Sequence, residues 1–324
     1  MCCLFGLIDP QHRFSGKQKC KMLHTLAAAS EVRGTDATGV AFNTSTGLCI
    51  SKYPIPGHRF RFRVQDDTTA AMGHTRMTTQ GAATQNFNNH PFYGTVGNTP
   101  FALAHNGMIH NDWELQRTHR LPKSRVATDS YVAVQLLEQR KDLSFESLAY
   151  VAEQLEGSFT LTLLDHQNNL CFIKGNNPMT IYRFKASGLY LYASTEDILK
   201  TALLCIPYRL GEPVPVSVTT GEILQISSTG EQRRGHFDDS KLYRHHWAPY
   251  ADWSNFTLSQ TPVSKQSHTE YLDDLKAIAA FFGYSSTYVD YLLAEGIDPM
   301  EIEDLLYEGE RGGRYENSCS CAWR

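Results

Sequence analysis

The grouping of strand-like and helical segments constrains the fold of this chain more than any other sequence feature. Over about the first 225 residues, short apolar runs bounded by turn residues predict strands, and three longer stretches have helical periodicity. The predicted strands are Leu4–Ile8, Gly39–Phe42, Ala70–Met72, Phe101–Ala104, Ser158–Leu164, Leu170–Ile173, Leu189–Tyr192 and Glu222–Ile226. The predicted helices are Lys17–Ser30, Asp129–Arg140 and Ser144–Gln154. Because strands and helices do not alternate regularly, the pattern predicts α+β layers and not a doubly wound parallel sheet.

The rest of the chain has a different character. Residues 236–265 are rich in polar and aromatic side chains without a clear period, which predicts a linker or an arm packed on the main domain. Residues 266–310 contain three short amphipathic segments, and the third has Asp298 as N-cap, Pro299 at its first position and Glu301 completing a capping box. The sequence therefore predicts a small three-helix bundle there, followed by a flexible tail over 311–324.

Charge and composition argue against several classes of function. The chain has 30 basic and 34 acidic residues, which gives no general attraction to nucleic acid or to an anionic membrane. Between His268 and Gly309 there are ten acidic residues and one lysine, so the bundle is expected to dock a protein or to cap the fold, and not to bind DNA.

No apolar run approaches the roughly 20 residues that span a bilayer. The eight cysteines form neither a disulfide framework nor a zinc pattern. We expect a cytoplasmic protein without metal or cofactor.

Cys2 is the first candidate for chemistry. Methionine aminopeptidase removes Met1 when the second side chain is small, so Cys2 is expected to open the mature chain. A terminal cysteine combines a thiol with an α-amine whose reference pKa is about 8, and this amine can serve as general base near neutral pH. Taken alone, Cys2 is better explained as a small residue that begins a buried strand.

Six segments then follow one another in the order found in a known family. They are Met1–Leu7 (MCCLFGL), Arg33–Gly39 (RGTDATG), Gly73–Gly81 (GHTRMTTQG), Asn89–Phe92 (NHPF), Ala104–Asn111 (AHNGMIHN) and Thr128–Ser130 (TDS). Together they resemble the class II glutamine amidotransferases, and the Gly73–Gly81 and Asn89–Phe92 segments are most similar to the hexosamine-phosphate synthase branch. Weaker resemblance continues through Glu156–Phe159, Asn177-Pro178, Ala193–Glu196 and Gly221–Ile223. The resemblance implies a four-layer αββα N-terminal nucleophile hydrolase sandwich over residues 1–235.

The resemblance also implies roles for individual residues. Cys2 would be the nucleophile, and the Asn106 side chain and the Gly107 N–H would stabilise the oxyanion. Glutamine also has an α-carboxylate, which suits the planar fork of Arg76, and an α-ammonium group, which suits Asp129. The other candidates are one that lines the pocket, Thr79, and four that support the site, Arg33, Asp36, His74 and His105.

Simpler interpretations remain open for these residues. Arg76 and Asp129 could belong to surface ion pairs, and Asn106-Gly107 is also a common turn dipeptide. Two positions depart from the family pattern. Cys3 replaces a glycine, where a side chain could crowd the nucleophile, and Met77 replaces an aromatic residue.

The expected activity is hydrolysis of the side-chain amide of L-glutamine through a Cys2 thioester, with ammonia passed to a separate synthase. A separate synthase is expected because only about 100 residues follow residue 225, too few for such a domain. The alternatives are hydrolysis of a γ-glutamyl amide in a larger substrate, or non-catalytic binding and sensing of glutamine.

Overall fold

The computed structural model describes residues 2–242 and 284–295 without interruption. It also describes seven isolated positions, 272, 275, 276, 279, 297, 302 and 306. The chain divides into two compact units, residues 1–247 and 248–324. No helix among the described residues is long and apolar enough to cross a membrane.

The first unit contains two antiparallel sheets. In spatial order, the seven-stranded sheet consists of β11 (Pro213–Pro215), β9 (Thr180–Phe184), β10 (Leu189–Ala193), β1 (Cys3–Ile8), β4 (Ala70–Arg76), β2 (Ala37–Thr44) and β3 (Gly47–Tyr53). The six-stranded sheet consists of β13 (Gln232–His236), β12 (Glu222–Ile226), β8 (Leu170–Lys174), β7 (Gly157–Asp165), β6 (Thr99–Ile109) and β5 (Phe92–Val96). Every neighbouring pair in both sheets is antiparallel.

Helices cover the outer faces of the two sheets. α1 (Gly16–Ala29) and α5 (Glu196–Cys205) bury their apolar faces with the outer side of the seven-stranded sheet. α2 (Asp112–Thr118), α3 (Tyr131–Arg140) and α4 (Phe145–Gln154) do the same on the six-stranded sheet. A third apolar core lies between the sheets and contains residues of both. The layers are therefore αββα, as predicted.

Local sequence signals explain where the predicted helices begin. α1 starts after Ser15, whose side chain forms a capping box with Gln18, and α4 starts after the N-cap Ser144. The predicted segments agree with α1, α3 and α4 to within two residues at each end. The strands β3, β5, β9, β11 and β13 and the helices α2 and α5 were not predicted. β5, β9, β11, β13 and α2 are short and carry few periodic positions, whereas β3 and α5 are as long as elements that were predicted.

Little of the predicted bundle falls within the described residues. α6 (Ser286–Ala294) begins after the N-cap Ser285, and its residues Val289 and Leu292 are buried. Of the third helix predicted from Asp298, only Ile302 and Leu306 are described, and both are buried. Most of the predicted linker and the tail over 311–324 lie outside the described residues.

Candidate active site

The nucleophile candidate lies at the start of a central strand. β1 runs between β10 and β4, and its register pairs Cys3 with Thr75. One step further along this antiparallel register, Cys2 is opposite Arg76. The Cys2 thiol donates to the carbonyl oxygen of Met77 (3.5 Å), and Arg33 Nε donates to the carbonyl oxygen of Cys2 (2.9 Å). Arg33 therefore holds the main chain of Cys2.

The groups that shift the pKa of the Cys2 thiol show which residues lie near its sulfur atom. Burial raises the pKa of the Cys2 thiol above its usual value, and the positive charge of the N-terminus, a main-chain hydrogen bond with Met77 and the positive charge of Arg76 oppose this shift. The negative charge of Asp129 adds to the increase. Arg76 and Asp129, 53 residues apart in sequence, therefore both act on the same sulfur atom. The sequence-predicted nucleophile and the two charged binding residues come together.

Arg76 ends β4 and is buried. Its Nη1 donates to Asn89 Oδ1 (2.8 Å), and its Nη2 donates to the carbonyl oxygens of Gln80 and Gly81. These partners belong to the 77–91 loop, which connects β4 with β5. Burial lowers the pKa of Arg76, and the acidic groups of Cys2, Asp129 and Asp36 oppose that shift. The three bonds use three of the five guanidinium N–H groups.

The 77–91 loop is also tied to two other site residues. Asp36 Oδ2 accepts from the main-chain N–H of Thr78 (2.8 Å), and its own N–H donates to the Arg76 carbonyl (2.9 Å). The side-chain oxygen of Gln80 accepts from the N–H of Asp129 (3.1 Å). Thr79 lies between these two anchors and is half-buried. Asp36 thus supports the segment that follows Arg76.

The oxyanion candidates lie near the end of β6, on the opposite sheet. Asn106 follows Ala102 and Ala104 in the strand alternation, and these two belong to the core between the sheets. Asn106 is fully buried, and its Nδ2 donates to Ser194 Oγ (3.4 Å). The same hydroxyl accepts from the N–H of Leu4 (2.9 Å), two residues after the nucleophile. One serine therefore connects the nucleophile strand with the oxyanion candidate.

Gly107 has a backbone conformation that requires glycine. Its φ is +133°, and a Cβ built there would lie 2.0 Å from the carbonyl oxygen of Ser158 and 2.4 Å from Asn177 Nδ2. In the register, Gly107 is opposite Phe159, whose N–H and carbonyl are bonded to Asn176 and Asn177. Gly107 and Phe159 are therefore an antiparallel pair without hydrogen bonds between them. In such a pair the N–H and C=O groups of each residue point away from the partner strand, so the Gly107 N–H points away from β7.

Asp129 lies on the side toward which the Gly107 N–H points. Its Oδ2 accepts from the N–H of Ile109 (2.7 Å), which has the same direction as Gly107 along β6. Its Oδ1 accepts from Ser130 Oγ (3.1 Å). The carboxylate is therefore fixed beside the end of β6.

His74 and His105 form part of a group of buried histidines behind the site. His74 Nε2 donates to the His105 carbonyl oxygen (3.0 Å), and this bond joins the two sheets just before Asn106. His105 Nδ1 is 2.7 Å from Ser130 Oγ, and the His90 ring stacks 4.3 Å from that of His74. Burial lowers the pKa of all three, that of His74 to about 3, so they are neutral at pH 7. They support the site without charge.

The two departures from the family pattern leave the nucleophile uncrowded. Cys3 is fully buried in the outer core beneath α1, on the opposite face of β1 from Leu4. Met77 is buried and provides a carbonyl oxygen to Cys2. The sequence interpretation that a side chain at position 3 could crowd the site is therefore wrong, because strand alternation turns it away.

Sequence reasoning missed four residues that shape the site. Ser194 and Asn177 lie in segments with weak family resemblance, but no role followed from them. Asn177 Nδ2 donates to the Asn106 carbonyl (3.1 Å), and Lys52 Nζ donates to the carbonyls of Asn89 and Pro91. Gln80 is the fourth. All four act through main-chain partners distant in sequence, which no local pattern indicates.

Comparisons with known proteins agree with this geometry. Residues 74–201 match a family model described as a glutamine amidotransferase domain. The glutamine–fructose-6-phosphate aminotransferase of Sulfurisphaera tokodaii is 29% identical over 190 residues, which cover 56% of this chain and 31% of that protein. Its counterpart from Chlamydia trachomatis is 30% identical over 193 residues, covering 56% and 30%. The chain thus matches less than a third of the length of these relatives.

A solved structure supports the fold. Glutamine phosphoribosylpyrophosphate amidotransferase from B. subtilis superposes with a TM-score of 0.58 at 19% identity, covering 73% of this chain and 49% of that one. The layers, the ordered motifs and the family match lead to one assignment. Residues 74–201 are a glutamine amidotransferase domain by the family match, and the chain has the αββα fold that it shares with glutamine phosphoribosylpyrophosphate amidotransferase.

Proposed function

We propose that this protein hydrolyses the side-chain amide of L-glutamine in the cytoplasm and delivers the ammonia to a separate synthase. The observation that carries the proposal is the convergence of Cys2, Arg76, Asp129 and Asn106 at one end of the sandwich. The six described cysteines are free thiols, in keeping with a reducing compartment.

The reaction begins with removal of Met1, which frees the α-amine of Cys2. The amine takes the thiol proton, and the thiolate attacks the amide carbon of glutamine. The tetrahedral intermediate collapses by breaking the C–N bond, and the amine returns its proton to the leaving nitrogen, so ammonia departs. Water then hydrolyses the γ-glutamyl thioester to glutamate and restores the thiol. Because burial lowers the pKa of the three buried histidines, they are weak bases, and the α-amine is the base this mechanism assigns.

Two donors stabilise the negative charge on the amide oxygen. Asn106 Nδ2 has a second N–H besides the one directed at Ser194, and the Gly107 N–H points away from β7. Donors of this kind are already in position when the charge develops, and the loss of one typically costs on the order of a hundredfold or more in rate.

Arg76 and Asp129 are proposed to hold the zwitterionic end of glutamine, with Thr79 lining the pocket between them. Arg76 retains donors beyond its three loop bonds, and the Asp129 carboxylate has acceptor capacity beyond its two. Both charges are largely buried, which strengthens their attraction for a bound ion.

The proposal is tested with full-length protein whose N-terminus has been checked by mass spectrometry. The processed wild type is expected to release ammonia from glutamine, and Cys2→Ala is expected to reduce the release to background without loss of the folded state. A diazo-ketone glutamine analogue should label Cys2. The exposed thiol Cys205 is the internal control for non-specific labelling.

Other outcomes would overturn the proposal. Inertness toward glutamine with turnover of larger γ-glutamyl amides would identify a γ-glutamyl amide hydrolase. Saturable binding of glutamine without turnover would identify a sensing protein. Labelling at Cys3 would show that the nucleophile has been misassigned.

A further inference from the structure

We infer that Ser194 is a positioning residue, which aligns the oxyanion donor Asn106 with the strand that carries the nucleophile. The inference rests on the proposed glutaminase function and adds to it a residue to which no catalytic role follows from the sequence.

Ser194 occupies a position where the two sheets come together at the site. It directly follows β10 and is fully buried. Its Oγ accepts from the N–H of Leu4 on the seven-stranded sheet (2.9 Å) and from Nδ2 of Asn106 on the six-stranded sheet (3.4 Å). One hydroxyl oxygen thus links the main chain two residues after the nucleophile to the proposed oxyanion donor.

The strand alternation explains why a polar residue lies here. Tyr190 and Tyr192 of β10 face the core between the sheets, and Ser194 is the next residue on that face. Leu4, its neighbour in the register, is the last apolar residue of β1 on that face before Cys2. Ser194 therefore stands at the boundary between the apolar core and the site, where an apolar side chain would leave a buried N–H without a partner.

The bond to Ser194 also fixes the orientation of the Asn106 amide. A side-chain amide carries two N–H groups, and an unconstrained one rotates about its last torsion. When Ser194 accepts one N–H, the direction of the other is set. The Asn106 carbonyl is held independently by Asn177, so the main chain stays in place while Ser194 controls the side chain.

This arrangement predicts an effect on turnover and not on binding. Glutamine would be bound by Arg76 and Asp129, and neither depends on Ser194 for its hydrogen bonds. Ser194→Ala is expected to lower kcat for ammonia release about tenfold, the equivalent of one lost hydrogen bond, and to leave KM for glutamine within about twofold.

The decisive test is a double-mutant cycle with Asn106→Ala, measured as kcat on processed full-length protein. If Ser194 acts through Asn106, the double variant is expected to have the same kcat as Asn106→Ala alone. Ser147→Ala is the matched control, since Ser147 is also fully buried but lies in α4 and bonds to Arg140. It should keep the wild-type kcat.

The outcomes separate the inference from the proposed function. If the wild type releases no ammonia, the proposed function fails and the inference falls with it. If the wild type is active and Ser194→Ala keeps its kcat, or if the two losses multiply in the double variant, the inference alone is wrong. Should Ser194→Ala not fold, Ser194→Cys retains a weak acceptor at the same place and is used in the same cycle, with an intermediate kcat expected.

Discussion

The two sheets hold their parts of the site by different means. At the seven-stranded sheet, two long cationic side chains donate to main-chain carbonyls, one from the turn before β2 and one from β3. Arg33 donates to Cys2, and Lys52 donates to Pro91 in the 77–91 loop. On the six-stranded sheet, a short neutral side chain holds the main chain. Asn177 Nδ2 donates to the carbonyl oxygen of Asn106.

We expect the two kinds of support to affect different kinetic constants. Long cationic side chains have many rotatable bonds, so their contacts can adjust when a charged substrate enters. Short amides over closely packed strands have little freedom, which suits donors that must be in place before charge develops. Changes on the six-stranded sheet should therefore mainly alter kcat, and changes to the cationic supports should mainly alter KM.

The strongest test of this expectation is Asn106→Ala. It removes a proposed oxyanion donor, so kcat for ammonia release is expected to fall on the order of a hundredfold or more, with KM for glutamine within a few fold. Steady-state kinetics on processed protein measures both quantities. A rise in KM at unchanged kcat would reverse the proposed roles of the two sheets.

Gly107→Ala tests how rigid the six-stranded side is. The added Cβ meets the Ser158 carbonyl at 2.0 Å and requires a φ of +133°, so we expect a loss of unfolding free energy of about 2–3 kcal/mol and a large fall in kcat. Denaturant unfolding and kinetics provide the two measurements.

The matched control for this variant is Gly47→Ala. Gly47 has a similar φ of +122°, but no atom lies within 4 Å of its Cβ position. It should show the backbone strain alone and keep full activity. Equal activity in the two variants would contradict the proposal that the close packing at Gly107 matters for catalysis.

The same contrast explains how much the sequence could predict. Periodicity predicted three helices and an α+β arrangement, and the resemblance carried by the ordered motifs implied the αββα layers and the roles of Cys2, Arg76 and Asp129. The supports Ser194 and Lys52 were not, since their partners are main-chain groups brought near only by the sheet register. Cys3 was misjudged because the face of a strand is known only when its register is known.

The buried histidines between the sheets give a pH-dependent test. Burial keeps the pKa of His90 well below its usual 6.5, and neither ring nitrogen has a hydrogen-bond partner among the described residues. Below pH 6.5 the unfolded chain binds a proton that the folded protein does not, so stability falls as the pH is lowered. Each such histidine contributes up to about 1.4 kcal/mol per pH unit.

His90→Phe removes one of these groups and keeps an aromatic ring beside Phe92. The variant should be at least as stable as wild type at pH 7, and between pH 7 and pH 5 it should lose about 2 kcal/mol less. Urea unfolding at both pH values measures this, with the exposed His166→Gln as control. Equal losses in variant and wild type would show that His90 is not held neutral.

The smallest effect is expected from Lys52→Met, and it tests the cationic side of the comparison. Burial lowers the pKa of Lys52 to about 8, and its ammonium group joins the carbonyls of Asn89 and Pro91. Asn89 in turn accepts from Arg76, so loss of the ammonium should loosen Arg76, the proposed partner of the substrate carboxylate. We expect KM for glutamine to rise about fivefold, close to one lost hydrogen bond, with kcat within twofold. Lys200→Met, which removes an exposed lysine from α5, should change neither. A fall in kcat at constant KM would show that the cationic supports share the catalytic role of the opposite sheet.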